Sequence, residues 1–90
     1  MLKWRKMKVI AIIVTHNPEP TRFVSVLKSV ANQVSNVIIV DNNSHNKDLI
    51  RALCNEMKTH CKLIELRSNT GIAYALKIGI RYAYTRYEPD

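Results

Sequence analysis

Two uninterrupted apolar runs constrain this chain more than any other feature. They are "VIAIIV" at residues 9–14 and "VIIV" at residues 37–40. A strand with one wet face alternates apolar and polar side chains. These runs do not alternate, so both of their faces must be covered. That is the pattern of a parallel sheet with helices on its two sides. A first strand is expected over residues 8–15 and a second over 37–40. A third, over 62–66, mixes Leu63 and Leu66 with charged neighbours and reads as an edge strand.

Helical periodicity fills the gaps between these runs. The first helix is expected to start near Pro20 or Thr21, because proline is tolerated in a first turn, where its missing N–H would be unpaired anyway. Phe23, Leu27, Val30 and Val34 form its stripe, widened by Val24 and Ala31. The second helix is expected over residues 46–59, with Leu49, Ile50, Leu53, Cys54 and Met57 on one face and Ser44 or Asn46 as cap. The third is expected from Gly71, with Ile72, Leu76, Ile80 and Ala83 as its buried stripe and Gly79 allowing close helix–sheet contact. Alternating strands and helices imply parallel strands joined by right-handed crossovers. The expected fold is α/β: a three-layer, Rossmann-like βαβαβα unit with a short parallel sheet. Two glycines and three prolines are too few for an all-β chain built on tight turns.

Ninety residues suffice for one domain, placed at residues 8–90 behind a basic tail at 1–7. The formal charge of +7 favours anionic partners: nucleotides, nucleic acids or acidic membranes. Lys3, Arg5, Lys6 and Lys8 concentrate part of it, as a solvated tail or as a binding patch beside a membrane. The apolar run after this basic start is too short for a signal peptide and ends in polar residues, and no segment has the length of a membrane span. Cys54 and Cys61 match no zinc or redox spacing. Two free thiols in a cytosolic chain are the simplest account, and a disulfide between them stays open.

A parallel sheet carries its binding loops at the carboxyl ends of its strands. Three polar clusters should therefore meet on one edge: residues 15–17, 41–44 and 68–71. Asp41 directly follows "VIIV", where a carboxylate can accept hydrogen bonds from a ribose or a base; the alternative is a turn, since the stretch "DNNS" favours side-chain bonds to its own backbone. The "NTG" at residues 69–71 opens a helix, whose N-terminus attracts phosphate, or is simply another turn. No GxGxxG follows the first strand and no GxxxxGK[ST] occurs, which disfavours an ordinary dinucleotide site or P-loop. His16, His45 and Cys61 form no recognisable metal set, and no nucleophile–base pairing can be built from spacing. The tyrosines at 74, 82, 84 and 87 pack or sit at the surface; mixed with Arg81 and Arg86 they could also bind a single-stranded nucleic acid.

Taken together, "IIVTHNPEP", "VIIVDNNS" and "RSNTGIAYALKIGIRYA" resemble the start of a family 2 glycosyltransferase of the GT-A fold, of the rhamnosyltransferase-like branch. The resemblance covers residues 8–90. It implies that Thr15, His16 and Asn17 border a nucleotide, that Asp41 contacts the base, and that Asn69 and Gly71 lie beside the nucleotide sugar. His16 stands where a larger aromatic is common, and Lys77 where many members have Asn. The resemblance further implies a following strand ending in a DxD motif that holds a divalent metal, and a later catalytic base. The chain stops at "YEPD" before either; Glu88 and Asp90 have a suitable gap but precede the required strand.

The expectation is therefore the N-terminal, nucleotide-sugar-recognising half of a transferase that moves a sugar to an acceptor hydroxyl. It takes a UDP- or dTDP-linked donor, has no catalytic residue and no cofactor of its own, and is inactive alone; Mg or Mn belongs to the full-length enzyme. Its expected location is cytoplasmic, with the cytoplasmic membrane face as a possible site. Two other classes stand beside it. One is an interaction module that self-associates through the first-strand edge, or covers that edge with the tail around Trp4. The other is a small basic nucleic-acid-binding domain, supported by charge and by the tyrosine–arginine mixture late in the chain, and disfavoured against the nucleotide-sugar reading.

Overall fold

The computed structural model describes residues 9–57 and 60–87. The basic tail, Trp4, Thr59, Glu88 and Asp90 lie outside them. Six elements alternate: β1 (Ile10–Thr15), α1 (Pro20–Ala31), β2 (Asn36–Asp41), α2 (Lys47–Glu56), β3 (Cys61–Glu65) and α3 (Ile72–Arg86). The strands form one parallel sheet in the order β1-β2-β3. The expected α/β architecture is present, with β3 at an edge as its mixed sequence suggested.

Strand alternation divides the core in two. Val37 and Ile39 face α1 and α2, where they meet Phe23, Leu27, Ile50 and Cys54. Ile38 and Val40 face α3, where they meet Ala75 and Ala83. All four residues of "VIIV" are at most 1% exposed. The central strand is thus covered on both faces, as its lack of alternation required.

The start of α1 follows from local chemistry. Glu19 caps it: its carboxylate accepts the N–H groups of Thr21 at 3.2 Å and Arg22 at 2.8 Å, and Pro20 opens the first turn. The helix ends at Ala31, so Val34 packs against the core from the connection and not from the helix. α2 ends at Glu56, before the expected limit. Neither expected cap of α2 acts as one. Asn46 holds the N-cap position without a side-chain cap bond and donates instead to the Pro18 carbonyl at 3.0 Å. Ser44 turns back to Asp41.

The buried face of α3 corrects the sequence reading. Ala75, Gly79 and Ala83 pack on the sheet, while Ile72, Leu76 and Ile80 are 74, 40 and 41% exposed. Small residues win because they let the helix approach closely. A Cβ added at Gly79 would lie 2.5 Å from Ile12 Cγ2 and 3.0 Å from Val40 Cγ2. The large side chains one helical step away are pushed to the flank. Ala83 and the close contact at Gly79 are as expected; the other three stripe positions are not. Tyr82 sits on the β3 side of α3, with Lys62 Nζ 5.8 Å from its ring centroid and Arg86 5.7 Å away. Tyr74 and Tyr84 are exposed.

Candidate functional site

The strand register fixes where the polar loops leave the sheet. Thr15 pairs with Asp41, and Asp41 pairs with Glu65. Three strands therefore end level, and their loops start from one edge. The three polar clusters do meet there, through direct hydrogen bonds.

Asn42 is the hub. It is 2% exposed. Its backbone N–H donates to the Thr15 carbonyl at 2.8 Å, which extends the β1–β2 ladder by one bond. Its carbonyl accepts from His16 Nδ1 at 2.8 Å. Its side-chain Oδ1 accepts the Thr70 N–H at 2.8 Å and the Thr70 hydroxyl at 3.2 Å. One residue thus joins the loops after all three strands.

A second layer of bonds orders the loop after β1. The Asn17 N–H donates to Ser44 Oγ at 2.7 Å, and Asn17 Oδ1 accepts from both His45 N–H at 2.8 Å and His45 Nδ1 at 2.7 Å. Asn17 has φ of 48°, a left-handed conformation that asparagine tolerates better than most residues. Its Nδ2 donates to His16 Nε2 at 3.1 Å. Because His16 Nδ1 faces a carbonyl, that nitrogen carries the proton and Nε2 is the acceptor. The ring is therefore held as one tautomer between two fixed partners.

Asp41 and Ser44 form the floor. Asp41 is fully buried, and its carboxylate accepts the Ser44 N–H at 3.2 and 3.3 Å and the Ser44 hydroxyl. This is the turn geometry weighed for "DNNS". Asn43, at φ of 62°, completes the turn, and Lys47 Nζ ties it to the helix by donating to Asn43 Oδ1 at 2.7 Å. Ser44 is 1% exposed and gives its proton directly to a carboxylate, so it is no nucleophile. The third loop is shaped by Asn69, whose Oδ1 accepts the Gly71 N–H at 3.1 Å. Gly71 has φ of 85° and precedes a helix whose first turn has no side-chain cap. A side chain there would meet open space but a strained backbone.

Of the expected site residues, His16, Asn17, Asn69 and Gly71 present exposed surface on this edge; Thr15 and Asp41 lie beneath it. Asn42, His45 and Thr70 are the contributors that no single residue signal singled out. Among the described residues no group of three or more His, Cys, Asp or Glu could hold a metal ion, so no metal-dependent step is assigned to them. Nor is any helix of the described residues long and apolar enough to cross a membrane.

A level edge of interlocked polar loops on a helix-clad parallel sheet is the architecture of a Rossmann-like α/β unit. Residues 10–87 match the family described as Glycosyl transferase family 2, and the chain belongs to that family. It is 40% identical over 75 residues to the dTDP-rhamnosyl transferase RfbF of Shigella flexneri. That alignment takes in 83% of this chain and 24% of the relative, so the chain spans about a quarter of the length of the curated relative it matches. No solved structure matches it.

Proposed function

We propose that this chain is the donor-recognition face of a glycosyltransferase that moves a sugar from a nucleoside diphosphate to an acceptor hydroxyl. The observation that carries the reading is the hub at Asn42, which locks the three loops into one polar edge. Such an edge can hold a ligand with many hydrogen-bonding groups at little ordering cost, because its own groups are already positioned. His16 and Asn17 border the nucleotide, and Asn69 and Gly71 lie beside the sugar diphosphate at the uncapped start of α3. Thr15 supports them from below. Asp41 reaches the base when Ser44 yields: among the described residues, Oδ2 accepts the Ser44 N–H at 3.3 Å. The relative's name favours a dTDP-linked donor over a UDP-linked one. No base for the acceptor hydroxyl is assigned among the described residues, and in this reading the chain binds donor without turning it over.

An NMR titration with dTDP, UDP and a short oligonucleotide tests this. Either nucleotide should shift amides at residues 15–17, 41–45 and 69–71 and leave α1 unchanged. Shifts confined to lysines and arginines with the oligonucleotide alone would favour the nucleic-acid class instead. Release of dTDP or UDP from a nucleotide sugar by the purified chain would refute the inactive half of the reading.

A second reading is favoured by the outer edge of β1, which pairs with no strand among the described residues. Exposed Leu76 and Ile80 lie along α3 on one side and exposed Val26 on the other, beside a cavity of about 300 Å³ lined by Ile13, Phe23 and Pro18. An edge apolar above and below suits a strand that is apolar on both faces, and β1 of a second copy is such a strand. Self-association then rises with concentration in sedimentation. A strictly monomeric profile, with fast amide exchange along residues 9–14, argues against it.

A further inference from the structure

The two cysteines lie far from the polar edge, at the opposite end of the sheet. Cys54 is in the last turns of α2 and Cys61 is the first residue of β3. Their sulfurs are 2.7 Å apart and hydrogen-bonded. Cys54 is 5% exposed, whereas Cys61 is more open. Seven residues of separation showed nothing in the sequence, because only the turn of the chain from helix to edge strand brings the thiols face to face.

We infer that Cys54 and Cys61 are a disulfide-forming pair, a two-electron modification site that covalently joins α2 to the edge strand β3. The inference rests on placement: the bond asks for a further approach of roughly 0.7 Å, within the reach of side-chain adjustment. It also rests on location. The same seam is closed at its other end by Arg51, whose Nε donates to Glu65 Oε2 at 2.6 Å and Nη2 to Oε1 at 3.0 Å. Among the described strands β3 has a neighbour on one side only, so these two contacts tie it to its helix. The chemistry agrees. The hydrogen-bonded contact with Cys61 lowers Cys54 below the ordinary thiol range, opposed by burial and aided by Lys62. The same contact, with burial, raises Cys61. Cys54 is thus the partner that ionises first.

The oxidant is a carrier disulfide, and the exchange balances. The more accessible sulfur, Cys61, takes the carrier: as it attacks one carrier sulfur its proton passes to the Cys54 thiolate beside it, the carrier S–S bond breaks, and one carrier thiolate leaves and takes that proton from Cys54. The Cys54 thiolate then attacks Cys61 Sγ in that mixed disulfide and expels the second carrier thiolate. The protein loses two thiol protons, which pass to the two carrier thiolates. Two protein thiols are oxidised and one carrier disulfide is reduced to two thiols.

The test uses the full chain and glutathione disulfide. Intact mass should fall by two hydrogens without a retained glutathione, both thiols should be lost to an alkylating reagent, and non-reducing digestion should yield one peptide pair linking Cys54 to Cys61. Cys54→Ser and Cys61→Ser should each stop at the glutathione adduct. In the oxidised chain, amide exchange along β3 should slow by about tenfold or more, since the closed loop restrains the opened strand. A wild-type chain that ends as a stable glutathione adduct, as a disulfide-linked dimer, or with both thiols still alkylatable overturns the inference. The digestion of the wild-type chain decides the matter even where a serine variant does not fold.

Discussion

Replacing Gly79 by alanine sets two effects of known size against each other. Alanine in a helix interior is favoured over glycine by about 1 kcal/mol. The new Cβ, however, would sit 2.5 Å from Ile12 Cγ2 and 3.0 Å from Val40 Cγ2. Carbon contacts are comfortable at about 3.5–4.0 Å, so one neighbour must retreat by roughly 1 Å. Neither can do so cheaply. Both are methyls on β-branched side chains, which are stiff at χ1, and Val40 is fully buried on the central strand. Overpacking of this kind costs about 1–3 kcal/mol, and these neighbours place it at the upper end. The expected net is a loss of about 2 kcal/mol. With a urea m-value of about 1–2 kcal/mol per M for so small a domain, the midpoint falls by roughly 1–2 M. Removing the obstructing methyl should relieve much of the cost, so Gly79→Ala made in an Ile12→Ala background should be nearly neutral, with a coupling of about 1 kcal/mol or more. An unfolding midpoint equal to or above wild type for Gly79→Ala alone, or a strictly additive double mutant, would refute the close-packing argument.

Other perturbations address the polar edge and the seam. Asn42→Ala strips the Thr70 N–H and hydroxyl of their acceptor; it should cost about 1–2 kcal/mol in urea unfolding and accelerate Thr70 amide exchange. Ser44→Ala removes the hydroxyl donor from a fully buried carboxylate and should cost about 1.5–3 kcal/mol by the same assay; an unchanged midpoint would mean that Asp41 finds another donor. The Arg51 hydrogen bond holds Glu65 below the usual carboxylate range, against a smaller opposing effect of desolvation. A depressed folded-state pKa stabilises above the unfolded value and is lost as pH falls through the folded one. The stability difference between wild type and Glu65→Gln should thus be present at neutral pH and close below about pH 4; a gap that persists there contradicts the pair.

The sheet was legible because "VIAIIV" and "VIIV" permit few alternatives to a parallel, two-sided arrangement. Once the strands were parallel, the meeting of their three loops followed from topology. The face of α3 did not follow. Residues 72, 76 and 80 and residues 75, 79 and 83 both recur every four positions, so periodicity alone could not choose between them, and weight by hydrophobicity chose the large set. Gly79 carried the deciding information, since a glycine inside a helix signals close approach. Asn42 was hidden for a different reason. In "DNNS" every residue favours a turn, and which one faces inward depends on the level ends of β1 and β2. The Cys54–Cys61 contact depends in the same way on where the connection after α2 returns to the sheet.

The strands stand in the sheet in the order in which a ribosome would make them. Ile10 pairs with Asn36 and Val37 with Cys61, so each strand docks on the one synthesised just before it. Among these three strands no pairing has to wait for a distant segment. β1, α1 and β2 can assemble while β3 is still being translated, as folding from the N-terminus requires. Among the described strands, growth of the nascent sheet is then directional, with β3 added last on the side of β2 away from β1.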